Sequence, residues 1–158
     1  MVKEALYALL RDLTALDGAP GHEQPVVAYL RDALTPLADA VEVDPMGNLY
    51  AIKRGAAPGP RLMISAHSDE IGGLVRSIEP QGYLRLSTLG AISPAMLVGR
   101  RVRVRGRLGV IGVKSVHLQT PEERRTVLPS EQLYIDVGAD SPAQVAAMRS
   151  SRPPSRGA

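Results

Sequence analysis

The sequence predicts an α/β protein whose second part is rich in β-strands. Residues 3–16 and 22–37 carry apolar side chains at helical spacing. From residue 41 onward the apolar residues alternate or run together, as they do in strands. After residue 71, short strand candidates follow one another between turns that contain Gly or Pro, a pattern typical of a small β-barrel or sandwich. Two helices, a hairpin and a buried strand indicate the opening of an α/β layer structure.

The two predicted helices have clear boundary signals. The run Asp17-Gly18-Ala19-Pro20-Gly21 ends the first helix. The second helix has Pro25 in its first turn, where a missing N–H costs little. A further helix should begin near Ser141, with Ser as the N-cap, Pro142 at the first position and Gln144 at the capping-box position.

The predicted strands fall into two groups. In the first part, residues 41–44 and 49–52 form a hairpin around the turn 45–48, and the apolar run 61–66 reads as a strand that is buried on both faces. In the second part, the strand candidates are residues 74–78, 83–86, 102–105, 110–113 and 133–137.

The last ten residues have a different composition. They contain Arg149, Arg152 and Arg156 and no acid, so the net charge of +3 belongs to them and residues 1–148 are neutral. Adjacent prolines forbid a continued helix, and we expect residues 149–158 to be a disordered basic tail. The chain has 16 Arg against 3 Lys, which indicates a GC-rich coding bias, and an out-of-frame read of such a gene is rich in Arg, Pro and Ser. We therefore interpret the tail as out-of-frame, with truncation by a premature gene end and a natural short paralogue as the alternatives.

Composition restricts the possible chemistry and location. The chain has no Cys, so a metal ion would have to be held by His and carboxylates. The absence of Cys, of a secretory signal and of a membrane-length apolar stretch leads us to expect a cytoplasmic protein with no membrane partner.

His67 and Asp69 stand two residues apart, directly after the apolar run. If the strand continues, both side chains leave the same face, at the strand end where open α/β sheets bind ligands. A neutral imidazole nitrogen can bind a divalent ion while a nearby carboxylate accepts the other ring N–H. Alternatively, both residues bind the ion. The pair is therefore a candidate metal site.

The remaining candidates are weaker. One His and one carboxylate cannot hold a catalytic zinc ion, which needs three protein ligands. His22 at a helix start and His117 in a predicted loop are not at metal-ligand spacing from His67. Glu70 would point to the opposite face of the strand, so we do not assign it as a general base. We interpret Glu122 and Glu123 as part of an exposed helical turn with compensating charges.

The densest basic run is residues 100–107. Alternation would place its arginines on one strand face, which is compatible with a phosphate or RNA surface, with a solvated strand or with an assembly surface. Because no aromatic residues are interleaved and residues 1–148 are neutral, we expect no nucleic-acid partner. The arginines in question are Arg101, Arg103, Arg105 and Arg107.

An ordered set of motifs resembles one enzyme family. The motifs are Gly47-Asn48 and residues 62–73, 90–94, 110–118, 121–124 and 133–139. In this order they are similar to the co-catalytic metallo-aminopeptidases of the tetrahedral-aminopeptidase and glutamyl-aminopeptidase type, some of whose members have been labelled endoglucanases. The similarity runs from near residue 4 to residue 148 and covers the N-terminal part, less than half, of that family.

The resemblance implies a domain organisation and an activity. Residues 1–70 would be the first part of an α/β catalytic domain, and residues 71–148 a β-rich, barrel-like insertion domain through which the chain forms homo-oligomers. Two divalent metal ions per complete site, zinc or cobalt, would support hydrolysis of the N-terminal peptide bond of peptide substrates. His67 would be a ligand of one ion, and Asp69 would orient the His67 side chain.

The same resemblance implies an incomplete site. The other metal ligands and the general base of the family lie beyond the insertion, so we expect this chain to be inactive alone. The alternative is a non-catalytic oligomerisation module.

Overall fold

The computed structural model of the chain describes residues 2–148, and the predicted disordered tail lies outside this range. The chain divides into two compact units, with the boundary between Gly72 and Gly73. Both helices and strands are present, so the predicted mixed α/β architecture is confirmed. None of the helices in residues 2–148 combines the length and the apolar character that crossing a membrane requires.

The first unit contains two helices and a hairpin. Helix α1 spans Val2–Ala15 and α2 spans Gln24–Leu34, with Pro25 in the first turn as predicted. Strands β1 (Ala40–Val43) and β2 (Leu49–Ile52) pair in antiparallel register. The unit buries little: its buried hydrophobic residue is Val26 of α2, and the apolar stripe of α1 is largely exposed.

The turn between β1 and β2 forms because one carboxylate binds several donors. Asp44 accepts hydrogen bonds from the backbone N–H groups of Met46 and Asn48, each at 2.9 Å, and from the Asn48 side chain at 2.8 Å. The hydrogen bond from the side-chain amide of Asn48 is also the largest cause that lowers the pKa of Asp44 below its ordinary value. Gly47 supplies the positive φ of +89° that the turn needs.

The predicted buried strand at residues 61–66 is wrong for this structure. The segment has no regular secondary structure, and the exposed fractions of Leu62, Met63 and Ile64 are 87%, 83% and 89%. A strand requires hydrogen-bonded neighbours, and none of the strands formed by residues 2–148 pairs with this segment. An apolar run therefore indicates strand potential here, while the neighbours decide whether the strand forms.

The second unit is built on a five-stranded sheet in the order β3-β4-β7-β6-β5. The β4–β7, β6–β7 and β5–β6 pairs are antiparallel. The strands are β3 (Gly72–Ile78), β4 (Leu84–Leu89), β5 (Arg101–Val104), β6 (Arg107–Gly112) and β7 (Tyr134–Asp136).

The hydrophobic core of the protein lies in this unit. Helix α3 (Pro142–Met148) contributes Val145 to it. As predicted, the Ser141 hydroxyl caps α3 by accepting the N–H of Gln144 at 3.3 Å. The Gln144 side chain accepts the N–H of Asp140, one residue before the cap, at 2.8 Å. The buried set is Leu84, Leu86, Ile111, Leu133, Ile135, Ala139 and Val145.

The arginine run 100–107 does not form one strand face. A tight turn at Arg105 and Gly106, with φ of +50° and +80°, separates β5 from β6. Only Arg101 and Arg103 therefore lie on β5, and Arg107 opens β6 opposite Val104. Two consecutive positive φ angles are typical of the type I′ turn, which matches the twist of paired strands.

Candidate metal-binding site

His67 and Asp69 lie in the first unit, in a segment without regular secondary structure. The His67 side chain is 84% exposed and that of Asp69 is 41% exposed. The strand that was expected to aim both side chains from one face is absent, so another contact must orient them.

Asp69 itself supplies that contact. Nδ1 of His67 lies 3.0 Å from Oδ1 of Asp69 and 2.9 Å from the Asp69 backbone carbonyl oxygen. A carbonyl oxygen and an ionised carboxylate only accept hydrogen bonds, so Nδ1 must be the donor in both contacts. The arrangement therefore favours the Nδ1–H tautomer, in which the Nε2 lone pair of His67 is directed away from Asp69.

The segment is held by the loop that follows α1. The N–H of Glu70 donates to the carbonyl oxygen of Gly18 at 2.8 Å. A Cβ atom at Gly18 would lie 2.8 Å from Val26 Cγ2, and one at Gly72 would lie 2.9 Å from the Cβ of Ala19. The small residues thus permit a close approach of the two segments.

This support is not evident from the sequence, in which Gly18 and Ala19 predict only the end of a helix. The cluster of small residues is a possible signal, since a loop of Gly and Ala lets another backbone come close. The local sequence does not identify which segment approaches.

The other candidates do not join His67. His22 is exposed before α2, and its N–H donates to the Ala19 carbonyl at 2.8 Å. His117 is exposed in a short 3₁₀ turn of the second unit. Glu70 is exposed, and its backbone rather than its carboxylate makes the contact with Gly18. Among residues 2–148, no three His, Asp or Glu side chains are grouped so that they could hold a metal ion.

An imidazole whose Nδ1 is held by a carboxylate, with Nε2 exposed, is an arrangement typical of metal-binding proteins. Imidazole and carboxylate are donor types that bind zinc or cobalt. One imidazole and one carboxylate are fewer than the three protein ligands of a catalytic zinc site. The comparison with known families agrees with this class: the M42 glutamyl aminopeptidase family matches residues 47–150. The chain belongs to this family, and the predicted resemblance is confirmed.

Individual relatives support the assignment. The chain is 33% identical over 141 residues to the lysyl aminopeptidase of Pyrococcus furiosus, covering 85% of this chain and 40% of that protein. The TET aminopeptidase of a marine-sediment Thaumarchaeota archaeon has a TM-score of 0.82 at 33% identity, covering 90% and 41% of the two chains.

A third relative is described by its assembly. The TET1 peptidase of Pyrococcus horikoshii, which can assemble into a tetrahedron or a large octahedral shell, has a TM-score of 0.71 at 33% identity. That match covers 91% of this chain and 43% of the peptidase. The chain thus spans about two fifths of the length of the curated relatives that it matches.

Proposed function

We propose that this chain provides one corner of the two-metal site of an aminopeptidase, an enzyme that removes N-terminal residues from peptides. Membership of the M42 family supports the reaction class. The observation that carries the site is the contact of His67 Nδ1 with both acceptors of Asp69, because it leaves Nε2 as the nitrogen that can bind a divalent ion.

Each residue has a definite role in this proposal. His67 binds one divalent ion, zinc or cobalt, through Nε2. Asp69 holds the proton on Nδ1, fixes the ring orientation and raises the basicity of the ligating nitrogen. When bound, such ions lower the pKa of a coordinated water and polarise the carbonyl of the scissile bond.

Residues 2–148 do not complete this site. A catalytic zinc ion needs three protein ligands and an open position, whereas the described residues bring together one imidazole and one carboxylate. We therefore propose that turnover requires further ligands from additional polypeptide. We also propose that residues 1–70 belong to the catalytic domain and that residues 71–148 are a β-rich insertion through which homo-oligomers assemble. The proposed substrates are peptides, and the proposed location is the cytoplasm.

The ligand role of His67 can be tested by NMR of the histidine ring nitrogens. We expect neutral His67 to be mainly the Nδ1–H tautomer and its Nε2 resonance to respond first when Zn²⁺ is titrated. His22 and His117 are internal controls, and His67→Ala assigns the signals. The site proposal fails if the Nε2–H tautomer dominates, or if His67 responds to Zn²⁺ no more than His22 does.

The orienting role of Asp69 predicts a second effect. Asp69→Ala should weaken Zn²⁺ binding at His67 by roughly 10–100-fold, as is typical when the partner of a ligating His is removed. In the same titration, Asp32→Ala is the control for a lost carboxylate, since the Asp32 side chain is 77% exposed on α2. Equal effects of the two substitutions would contradict the assignment.

Catalysis by the chain alone is a separate question. With Zn²⁺ or Co²⁺ and an aminoacyl anilide, we expect no turnover, because residues 2–148 bring together fewer than the three protein ligands that a catalytic zinc ion needs. Turnover that His67→Ala abolishes and His22→Ala preserves would show that the chain completes its own site.

A second candidate function is a non-catalytic assembly module. It is favoured by the distribution of the core, which lies in the second unit while the first buries only Val26 among its described hydrophobic residues. The turnover assay separates the two functions, and sedimentation equilibrium of the full chain without metal tests the assembly module itself. A defined oligomer that persists in His67→Ala supports the module, whereas a monomer contradicts it.

A further inference from the structure

The segment that carries His67 has little support of its own. Residues 53–71 contain no helix or strand, and the His67 side chain is 84% exposed. Within residues 2–148, this segment makes a single backbone–backbone hydrogen bond to the rest of the chain, from the Glu70 N–H to the Gly18 carbonyl oxygen at 2.8 Å. The backbone around His67 is therefore fixed at Gly18.

The loop between α1 and α2, residues 16–23, is ordered by its own hydrogen bonds. The N–H of His22 donates to the Ala19 carbonyl oxygen at 2.8 Å. The N–H of Gly21 donates to the Glu23 carboxylate at 2.7 Å. Because a helix also fixes each end, this α1–α2 loop is a defined surface on which the irregular segment rests.

Gly18 leaves no space for a side chain in this contact. A Cβ atom at Gly18 would lie 2.8 Å from Val26 Cγ2 and 3.5 Å from the Ser68 carbonyl oxygen. Val26 is buried and β-branched, so its side chain cannot easily turn aside. The φ of Gly18 is not positive, so an added methyl group would act through space alone. It would move the loop, and with it the acceptor of the Glu70 N–H.

A second close contact lies on the other side of Asp69. A Cβ atom at Gly72 would lie 2.9 Å from the Cβ of Ala19, which has no rotatable bond by which to move away. The α1–α2 loop thus meets the segment both before and after Asp69.

We propose that Gly18 is a positioning residue for the metal site. Through the Glu70 N–H, the α1–α2 loop holds the backbone of residues 67–70 in the conformation in which Asp69 binds the ring of His67. Nδ1 of His67 lies within 3.0 Å of a carboxylate oxygen and of the backbone carbonyl oxygen of Asp69, and it meets both only while the backbone between the two residues is fixed. The loop thereby sets the Nδ1–H tautomer and the affinity for a divalent ion. This inference rests on the proposed ligand role of His67.

Amide hydrogen exchange and NMR of the histidine ring nitrogens test the proposal on the full chain. In the unmodified chain, the Glu70 N–H should exchange more slowly than that of Ser68, which makes no hydrogen bond within residues 2–148. Gly18→Ala should speed the Glu70 exchange, raise the Nε2–H fraction of His67 and weaken Zn²⁺ binding there by roughly tenfold. Gly59→Ala is the matched control, since nothing lies within 4 Å of its added Cβ.

A methyl exchange across the second contact tests the same role without disturbing the buried Val26. Gly72→Ala should shift the tautomer of His67 in the same direction as Gly18→Ala. Adding Ala19→Gly should restore it, because the atom nearest to the new methyl is then the Cα of residue 19, at 3.8 Å. A general loss of stability would not be reversed by a second substitution to Gly.

Three outcomes would overturn the proposal. The Glu70 N–H could exchange as fast as that of Ser68 in the unmodified chain. Gly18→Ala could speed that exchange while the tautomer and Zn²⁺ affinity of His67 stay unchanged. The double variant at positions 19 and 72 could be folded by circular dichroism and yet show no recovery. If Gly18→Ala fails to fold, the double variant decides.

Failure of the proposed function gives a different result. In that case His67 of the unmodified chain is itself mainly the Nε2–H tautomer, or does not respond to Zn²⁺. If only the positioning role fails, the unmodified chain shows the Nδ1–H tautomer and the Zn²⁺ response, and the substitutions at the contacts leave both unchanged.

Discussion

Glu123 shows how single side chains order the long connection between β6 and β7. Its carboxylate accepts the N–H of Thr120 at 2.8 Å and the Lys114 ammonium group at 3.0 Å, while its own N–H donates to the Thr120 hydroxyl at 3.2 Å. This reciprocal pair is a capping box, here on a 3₁₀ turn. The predicted exposed turn is present, but the partners of Glu123 are Thr120 and Lys114.

The same contacts predict a pH dependence. The hydrogen bond from the Thr120 N–H is the largest cause that holds the pKa of Glu123 below its ordinary value of 4.5, and the hydrogen bond from Lys114 is the second largest. A depressed folded-state pKa stabilises the fold above the unfolded-state pKa, and this contribution is lost as the pH falls through the folded-state value. Glu123→Gln should therefore be less stable than the unmodified chain near neutral pH, with the gap closing in acid.

Urea unfolding midpoints measured across a pH series check this expectation. Glu122→Gln is the neighbouring control, since Glu122 is exposed and has a backbone rather than a carboxylate contact in this turn. A gap that stays constant down to the lowest pH would show that the carboxylate contributes nothing through its charge.

At the scale of elements, the turn between β3 and β4 is constrained by its packing. The N–H of Glu79 donates to the Tyr83 carbonyl, and that of Gly82 to the Glu79 carbonyl, at 2.8 and 2.9 Å. Gly82 has a φ of +86° and is buried, and a Cβ there would lie 2.6 Å from the carbonyl carbon of Ala139. The turn thus packs directly on the segment that leads into α3.

Gly82→Ala should consequently destabilise the second unit. The positive φ alone costs about 1–3 kcal/mol for a residue with a Cβ, and the clash with backbone atoms adds to it. Thermal unfolding followed by circular dichroism measures the loss. Gly59→Ala is the control, because nothing lies within 4 Å of its added Cβ and it should leave the midpoint unchanged. Equal midpoints for both variants would refute the packing argument.

At the scale of the whole molecule, Leu62, Met63 and Ile64 form an exposed apolar segment. Three consecutive large apolar side chains, each more than four fifths exposed, form the kind of patch that drives association. Because the run also has strand-forming composition without a strand partner among residues 2–148, it resembles an unprotected sheet edge.

Ile64→Asp should therefore reduce self-association and the binding of a hydrophobic dye, with little change in circular dichroism. Light scattering against concentration gives the first quantity. Met46→Asp is the matched control, since Met46 is 86% exposed in a turn outside any such run. The expectation is wrong if the two variants reduce scattering equally or if the unmodified chain is monomeric at all concentrations.

The site illustrates the limit of local reading. His67 and Asp69 were identifiable because their residue types and spacing carry a known metal chemistry. The geometry of the pair could not be predicted from the sequence. A strand was the expected support, whereas in the structure Asp69 contacts the His67 ring, within a segment that is hydrogen-bonded to Gly18. That anchor joins residues far apart in sequence.

The sequence by itself determined the helices, the hairpin, the strands of the second unit and the cap of α3, because periodicity and turn chemistry are local. It also determined family membership, through the order of its motifs. Only the tertiary structure decided the strand order β3-β4-β7-β6-β5 and the turn that divides the arginine run. It also decided that residues 61–66 find no strand partner within the described part of the chain. These depend on which distant segments meet, and an apolar run becomes a strand only when hydrogen-bonding neighbours lie beside it.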